Sequence, residues 1–67
     1  MPVDIDRLSD AIKAAGGEAR VAEAAGVARM TVYRAQDPRR REILLDTVER
    51  LARATGVPLG ELVRERR

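Results

Sequence analysis

The chain has 67 residues, of which 13 are basic and 11 acidic, and it contains neither cysteine nor histidine. This length allows one domain with a small core, which buries only about 60% of the surface that the unfolded chain exposes. Without cysteine and histidine there are no disulfides, no thiolate or imidazole metal sites and no familiar nucleophile-base pair. We therefore expect a binding protein with no catalytic residue, no metal ion and no cofactor.

No run of apolar residues approaches the roughly 20 residues needed to span a bilayer. The N-terminal residues, MPVDID, lack the basic flank and the apolar stretch of an export signal. We therefore expect the protein to be cytoplasmic.

The first helix is predicted over residues 4–15. Asp4 can accept a hydrogen bond from the first turn and so cap the helix. Asp6 and Asp10 lie one turn apart, but no third ligand accompanies them, so solvated charges are favoured over a metal site or a catalytic pair. Apolar side chains at three- and four-residue spacing predict one buried stripe, formed by Ile5, Leu8, Ile12 and Ala15.

Two short helices joined by a sharp turn are predicted over residues 18–25 and 29–36. On the first of them, the small side chains of Ala22 and Ala25 allow another helix to approach closely. Gly26 follows at once and permits the left-handed conformation that ends a helix. This arrangement is the geometry of a helix-turn-helix.

The helix predicted over residues 29–36 has two different faces. Helical periodicity places Ala28, Val32 and Ala35 on the inward face. The opposite face carries the only aromatic residue of the chain together with two arginines, and consists of Arg29, Met30, Tyr33, Arg34 and Asp37. A large ring held towards solvent indicates a binding partner.

The C-terminal part predicts two more helices, over residues 44–55 and 58–65. Gly56 marks the end of the first and Pro58 opens the second. The buried stripe of the fourth helix is predicted to consist of Leu45, Val48, Leu51 and Ala52.

In order and spacing, this pattern is similar to the helix-turn-helix of the Cro and phage-repressor type, also called the XRE type. The matching residues are Val21, Ala22, Ala25, Gly26, Val27, Val32 and Ala35, followed by LLDTVERLARATGVPLGEL over residues 44–62. The similarity covers about residues 5–63. It implies an all-α, compact five-helix bundle of the phage-repressor-like DNA-binding type, with a central helix-turn-helix, in a single domain of residues 1–67.

Positive charge is concentrated beside this motif. Residues 28–41 contain five arginines and a single acid, Asp37, whereas acids equal or outnumber bases on either side. These arginines lie on the helix predicted over residues 29–36 and in the loop that follows it. Such a concentration of positive charge favours a polyanionic partner.

Carried over by position, the base-reading residues that the resemblance implies are Arg29, Met30, Tyr33 and Arg34. Arginine can bind guanine through two parallel hydrogen bonds, and an apolar side chain can contact the methyl group of thymine. Each residue also has a simpler interpretation. Arg29 and Arg34 could be solvated charges, Met30 could fill a gap in the core, and Tyr33 could pack under the following loop.

Contacts with the DNA backbone are expected from Arg20, Thr31, Arg39, Arg40 and Arg41. A solubilising loop is the alternative for the three consecutive arginines, and a hydroxyl bonded back to its own helix is the alternative for Thr31. Two positions depart from the family. Glu18 stands where relatives often have a glutamine that binds a phosphate, and Arg20 is expected to compensate. Ala28 replaces a serine cap, at a cost of about 1 kcal/mol.

Four apolar side chains in the C-terminal part exceed what five small helices can bury, namely Ile43, Leu44, Leu59 and Val63. Relatives commonly form dimers through this part, and a twofold pair can read two half-sites one DNA turn apart. We therefore expect a homodimer with double-stranded DNA as its partner, and no membrane contact. The predicted function is a sequence-specific transcriptional regulator, most simply a repressor of phage or mobile-element origin acting on a palindromic operator. The alternative is a protein-binding module, such as an antitoxin that docks a toxin partner, or a co-regulator, through Met30 and Tyr33.

Overall fold

The computed structural model describes residues 2–39 and 43–63, and over these residues the chain forms five α-helices. The helices are α1 (Ile5–Ala14), α2 (Glu18–Ala25), α3 (Arg29–Ala35), α4 (Leu45–Thr55) and α5 (Leu59–Leu62). Helix α2 packs extensively against both α3 and α4, and α5 joins α4 to α1. The described part is compact and all-helical, as predicted, and an isolated antiparallel bridge joins Val3 to Val63.

Helix α1 begins as its sequence predicts. The side chain of Asp4 accepts a hydrogen bond from the backbone N–H of Arg7, at 3.1 Å, and so satisfies one donor of the first turn. The buried stripe is centred differently from the prediction, because Ala11 joins Leu8 and Ile12 in the core while Ile5 and Ala15 are partly buried.

The connection between α2 and α3 is the predicted sharp turn. Gly26 has a φ of 69° and caps the end of α2, a conformation that a residue with a Cβ adopts at a cost of about 1–2 kcal/mol. The N–H of Val27 then donates to the carbonyl of Ala22 at 3.1 Å. Val21 and Ala22 on α2 and Val32 and Ala35 on α3 are buried, so the two helices share one apolar contact.

Two predicted core positions are wrong. Ala28 is exposed because it precedes α3 with an extended backbone, at φ −68° and ψ 146°, and therefore does not follow the helical register. Leu45 is 47% exposed, because it begins α4 and lies beyond the cluster that buries Val48, Leu51 and Ala52.

The last helix is shorter than predicted. It ends at Leu62, because Val63 adopts an extended conformation and bridges to Val3, while the N–H of Asp4 donates to the carbonyl of Leu62 at 2.9 Å. An ion pair between Arg7 and Glu61 also joins α1 to α5. The two ends of the described chain therefore hold each other.

The core is entirely apolar over the described residues. It consists of Leu8, Ala11, Ile12, Val21, Ala22, Val32, Ala35, Val48, Leu51, Ala52 and Leu62. Within residues 2–39 and 43–63, no helix has the length and apolar character that a membrane-spanning segment requires.

Candidate nucleic-acid interface

The exposed side of α3 brings four predicted site residues together. Arg29, Met30, Tyr33 and Arg34 are all exposed, with values of 53% for Met30 and 61% for Tyr33. We call this surface the α3 outer face. Because residues four positions apart are neighbours on a helix, Arg29 lies beside Tyr33, and Met30 lies beside Arg34. The face therefore alternates guanidinium groups with apolar or aromatic groups.

The opposite side of α3 fixes the helix to the rest of the protein. Val32 is completely buried and Ala35 is 3% exposed, and both belong to the central core. This burial also decides one alternative, because the half-exposed Met30 lies outside the core and fills no gap in it. Tyr33 lines a shallow groove with Pro38 and Arg39, but most of its side chain remains exposed.

The start of α3 has no side-chain cap. Ala28 occupies the capping position, and its methyl group cannot accept a hydrogen bond from the first turn. The backbone carbonyl of Ala28 receives the N–H of Thr31 at 2.9 Å instead. The helix has seven residues, so packing against α2 and bonds at its C-terminal end must hold it in place.

Arg39 is held by a neighbouring carboxylate. Its Nε donates to Asp37 Oδ1 and its Nη2 to Asp37 Oδ2, each at 3.2 Å, and its backbone N–H donates to Oδ1 at 2.9 Å. This hydrogen bonding, followed by the charge of Asp37, raises the pKa of the Arg39 guanidinium above its usual value. The carboxylate of Asp37 therefore offsets part of the positive charge that Arg39 presents to an anion.

Two of the other residues predicted to contact the DNA backbone are described by the structure. Arg20 is exposed on α2, and its side chain lies over the turn before that helix, since a Cβ on Gly16 would be only 2.6 Å from Arg20 Cδ. Thr31 is partly buried on α3. Arg40 and Arg41 lie outside the described residues.

A polar bridge at the C-terminal end of α3 is absent from the sequence-based predictions. Ser9 Oγ donates to Gln36 Oε1 at 3.0 Å, and Gln36 Nε2 donates to Glu18 Oε2 at 2.8 Å and to the carbonyl of Val32 at 3.2 Å. We call this set the Gln36 bridge. Glu18 is thus engaged with the protein itself, at the start of α2 where its charge also suits the helix dipole.

The four predicted dimer residues are not equally exposed. Ile43, Leu59 and Val63 are partly buried against the chain's own core, whereas Leu44 is 78% exposed. Its neighbour Leu45 adds a second exposed leucine at the start of α4. The apolar excess is therefore located mainly at Leu44 and Leu45.

Residues 2–39 and 43–63 contain no cluster of acidic side chains suited to a metal ion, and no buried side-chain nitrogen or oxygen there lacks a hydrogen-bond partner. Comparisons with protein-family models, with curated proteins and with solved structures find nothing that matches this chain. The α3 outer face is the surface on which four of the predicted site residues lie together.

Proposed function

We propose that this chain is a sequence-specific DNA-binding regulator of the Cro and phage-repressor type, in which α2 and α3 form the helix-turn-helix. The observation that carries the proposal is the division of α3 into two sides. Val32 and Ala35 are buried, while Arg29, Met30, Tyr33 and Arg34 project outwards together. Because this side of α3 faces solvent, it can enter the major groove, which is wide enough for one α-helix.

Each group on the α3 outer face has a partner in DNA. Arg29 and Arg34 can each bind the O6 and N7 atoms of a guanine, and Met30 offers apolar contact to a thymine methyl group. Tyr33 can contact a methyl group or donate its hydroxyl to a phosphate. Arg20, Thr31, Arg39, Arg40 and Arg41 complete the proposal as backbone contacts around the groove.

The proposed regulator acts as a homodimer in the cytoplasm and has no enzymatic activity. A twofold pair presents two copies of α3 to a palindromic operator, so the binding free energies of the two half-sites add. Occupying a promoter in this way blocks polymerase, and repression is therefore the simplest consequence. A phage or mobile-element origin follows from the resemblance alone.

Selection of bound sequences from a pool of random DNA duplexes tests the proposal. We expect an enriched, twofold-symmetric sequence whose half-sites lie about one helical turn apart. Affinity for the enriched duplex should fall steeply with salt, because phosphate contacts release counterions. Recovery of no preferred sequence, together with weak binding that is indifferent to salt, would contradict the proposed function.

The first mutational prediction concerns Arg34. Replacing Arg34 by Ala should cost about 1–3 kcal/mol of binding free energy to the selected duplex and relax the preference at one base position. Arg53→Ala on α4 is the matched control, since it removes the same charge from another exposed helical position. The measurement is competition binding with duplexes substituted at each position. Equal losses in both variants, with an unchanged base preference, would assign Arg34 to general electrostatics.

One observation favours a second function. Met30 and Tyr33 are more than half exposed, and side chains of these types are enriched at protein-protein interfaces. A protein-binding module, such as an antitoxin bound to a toxin, is therefore the alternative, and the two functions can coexist in one protein. Binding through such an apolar contact should barely respond to salt, in contrast to DNA binding.

A further inference from the structure

We propose that Gln36 is a positioning residue, which sets the orientation of α3 and thereby the sequence preference of the protein. This inference depends on the proposed function, because orientation matters most where a helix must align with base edges. Gln36 itself does not need to touch DNA. It acts through its bonds to Ser9 on α1, Glu18 on α2 and Val32 on α3.

In the Gln36 bridge, both the oxygen and the nitrogen of the side-chain amide form hydrogen bonds. The amide oxygen accepts from Ser9, and the amide nitrogen donates to Glu18 and to the backbone of α3 itself. All three hydrogen bonds are partly shielded from solvent. The C-terminal end of α3 is therefore attached to two other helices at a single point.

The apolar packing of α3 holds the helix against the core, and the Gln36 bridge adds a constraint on its orientation. Its buried side chains, Val32 and Ala35, are small, and apolar contact has no preferred direction. Hydrogen bonds weaken steeply with misalignment, so they oppose rotation and tilt that apolar contact permits. A tilt of about 10° over a helix about 10 Å long shifts its far end by about 2 Å, which is more than a hydrogen bond tolerates.

The consequence differs for the two kinds of DNA contact. Paired hydrogen bonds from Arg29 or Arg34 to a base edge require close alignment. Contacts with phosphates by long, flexible side chains require much less. Loss of the Gln36 bridge should therefore reduce discrimination between sequences while leaving general affinity for DNA nearly unchanged.

Three variants test this proposal. Gln36→Met keeps the length of the side chain and removes all three side-chain hydrogen bonds without adding charge. Gln36→Glu places a second carboxylate against Glu18, and the double variant Glu18→Gln, Gln36→Glu reverses the pair, so that the amide at position 18 can donate to the carboxylate at position 36. In Gln36→Glu and in the double variant, Ser9 can still donate to the carboxylate at position 36. The double variant also keeps the net charge of the natural chain.

The measurement is the ratio of affinities for the selected duplex and for a scrambled duplex, at a temperature where thermal unfolding shows every variant to be folded. We expect Gln36→Met and Gln36→Glu to reduce the ratio roughly tenfold, which is the range for one misaligned paired contact. Binding of Gln36→Met to the scrambled duplex should stay near that of the natural chain. The double variant should recover part of the ratio, because it restores the bond between positions 18 and 36 but not the one from position 36 to the Val32 carbonyl.

The possible failures are distinguishable. If the natural chain itself shows no preference between the duplexes, the proposed function fails and the inference fails with it. If the natural chain discriminates and folded Gln36→Met discriminates equally well, the proposed function stands and the positioning role is wrong. A double variant whose ratio is no higher than that of Gln36→Glu would contradict the pairing of positions 18 and 36 as its cause, since both variants lack the bond to the Val32 carbonyl.

Discussion

At the scale of single residues, Asp37 is the acid that most directly opposes DNA binding in this proposal. Its two carboxylate oxygens accept hydrogen bonds from the Arg39 side chain, which is 90% exposed. A phosphate that approaches Arg39 must compete with this carboxylate and also meets its negative charge. In the proposed complex, Asp37 would therefore lower the affinity for every DNA sequence alike, and the contacts with bases would decide which sequence is bound.

Replacing Asp37 by Asn should release Arg39 and strengthen binding to any duplex. We expect a roughly two- to fivefold gain in affinity at moderate salt, and a steeper decline with salt by up to about one additional phosphate contact. Titrations of selected and scrambled duplexes across a salt series measure both quantities. The gain should be similar for the two duplexes, because phosphates carry no sequence information.

Asp46→Asn is the matched control for this prediction. Asp46 pairs with Arg50 on α4 at 3.1 Å, through one hydrogen bond and with a more exposed carboxylate than Asp37, so its substitution makes the same change in net charge and also frees an arginine. Equal gains in the two variants would show a general charge effect and would contradict the specific role of Asp37.

Residues of the candidate site were predictable to different degrees. Helical periodicity is a local signal, and it placed Arg29, Met30, Tyr33 and Arg34 on the side of α3 that is exposed, whereas Asp37, predicted on the same face, follows the end of α3 and is partly buried. The Gln36 bridge has no such signal, because Ser9 and Glu18 lie 27 and 18 positions away in sequence. Only the folded arrangement of α1, α2 and α3 brings these three polar groups together.

At the scale of the helices, α3 carries the proposed DNA contacts, but its own residues stabilise it only weakly. It has seven residues, and the residue before it, Ala28, supplies no side-chain cap. The backbone of Ala28 already has the extended conformation of a capping residue. A serine there could accept a hydrogen bond from the first turn of α3 without any change in the backbone.

Replacing Ala28 by Ser should therefore raise the free energy of unfolding by about 1 kcal/mol. Denaturant unfolding followed by circular dichroism measures the change. The matched control is Ala24→Ser, at an exposed position inside α2, where the lower helix propensity of serine should instead cost about 0.5 kcal/mol. If serine at position 28 is neutral or destabilising, then the capping position is not formed as described.

The helices themselves follow closely from local signals, and the errors lie at their ends. Asp4, Gly26 and Gly56 mark boundaries correctly, because capping and left-handed turns depend on residue type. Val63 departs from the predicted fifth helix, because its bridge to Val3 is a contact between distant parts of the chain. No periodic pattern contains that information.

At the scale of the whole molecule, the small core leaves a second apolar region uncovered besides Met30 and Tyr33. Leu44 and Leu45 are adjacent and are 78% and 47% exposed, at the start of α4. Chains of this length gain stability by association, because burial within one copy is limited. A second copy that covers Leu44 would supply the homodimer that the proposed operator requires, with α3 left free for the groove.

The last prediction tests this arrangement by comparing two exposed apolar side chains. If the dimer forms through Leu44, the melting temperature of the natural chain should rise with protein concentration. Leu44→Ser should weaken dimerisation roughly hundredfold, because each copy loses the burial of one leucine. Met30→Ser, which removes an exposed apolar side chain from α3, should leave the dimer intact and weaken only DNA binding. Sedimentation equilibrium measures both variants. Dissociation caused by Met30→Ser would instead place α3 inside the twofold contact, where it could not enter a groove, and the proposed function would then be wrong.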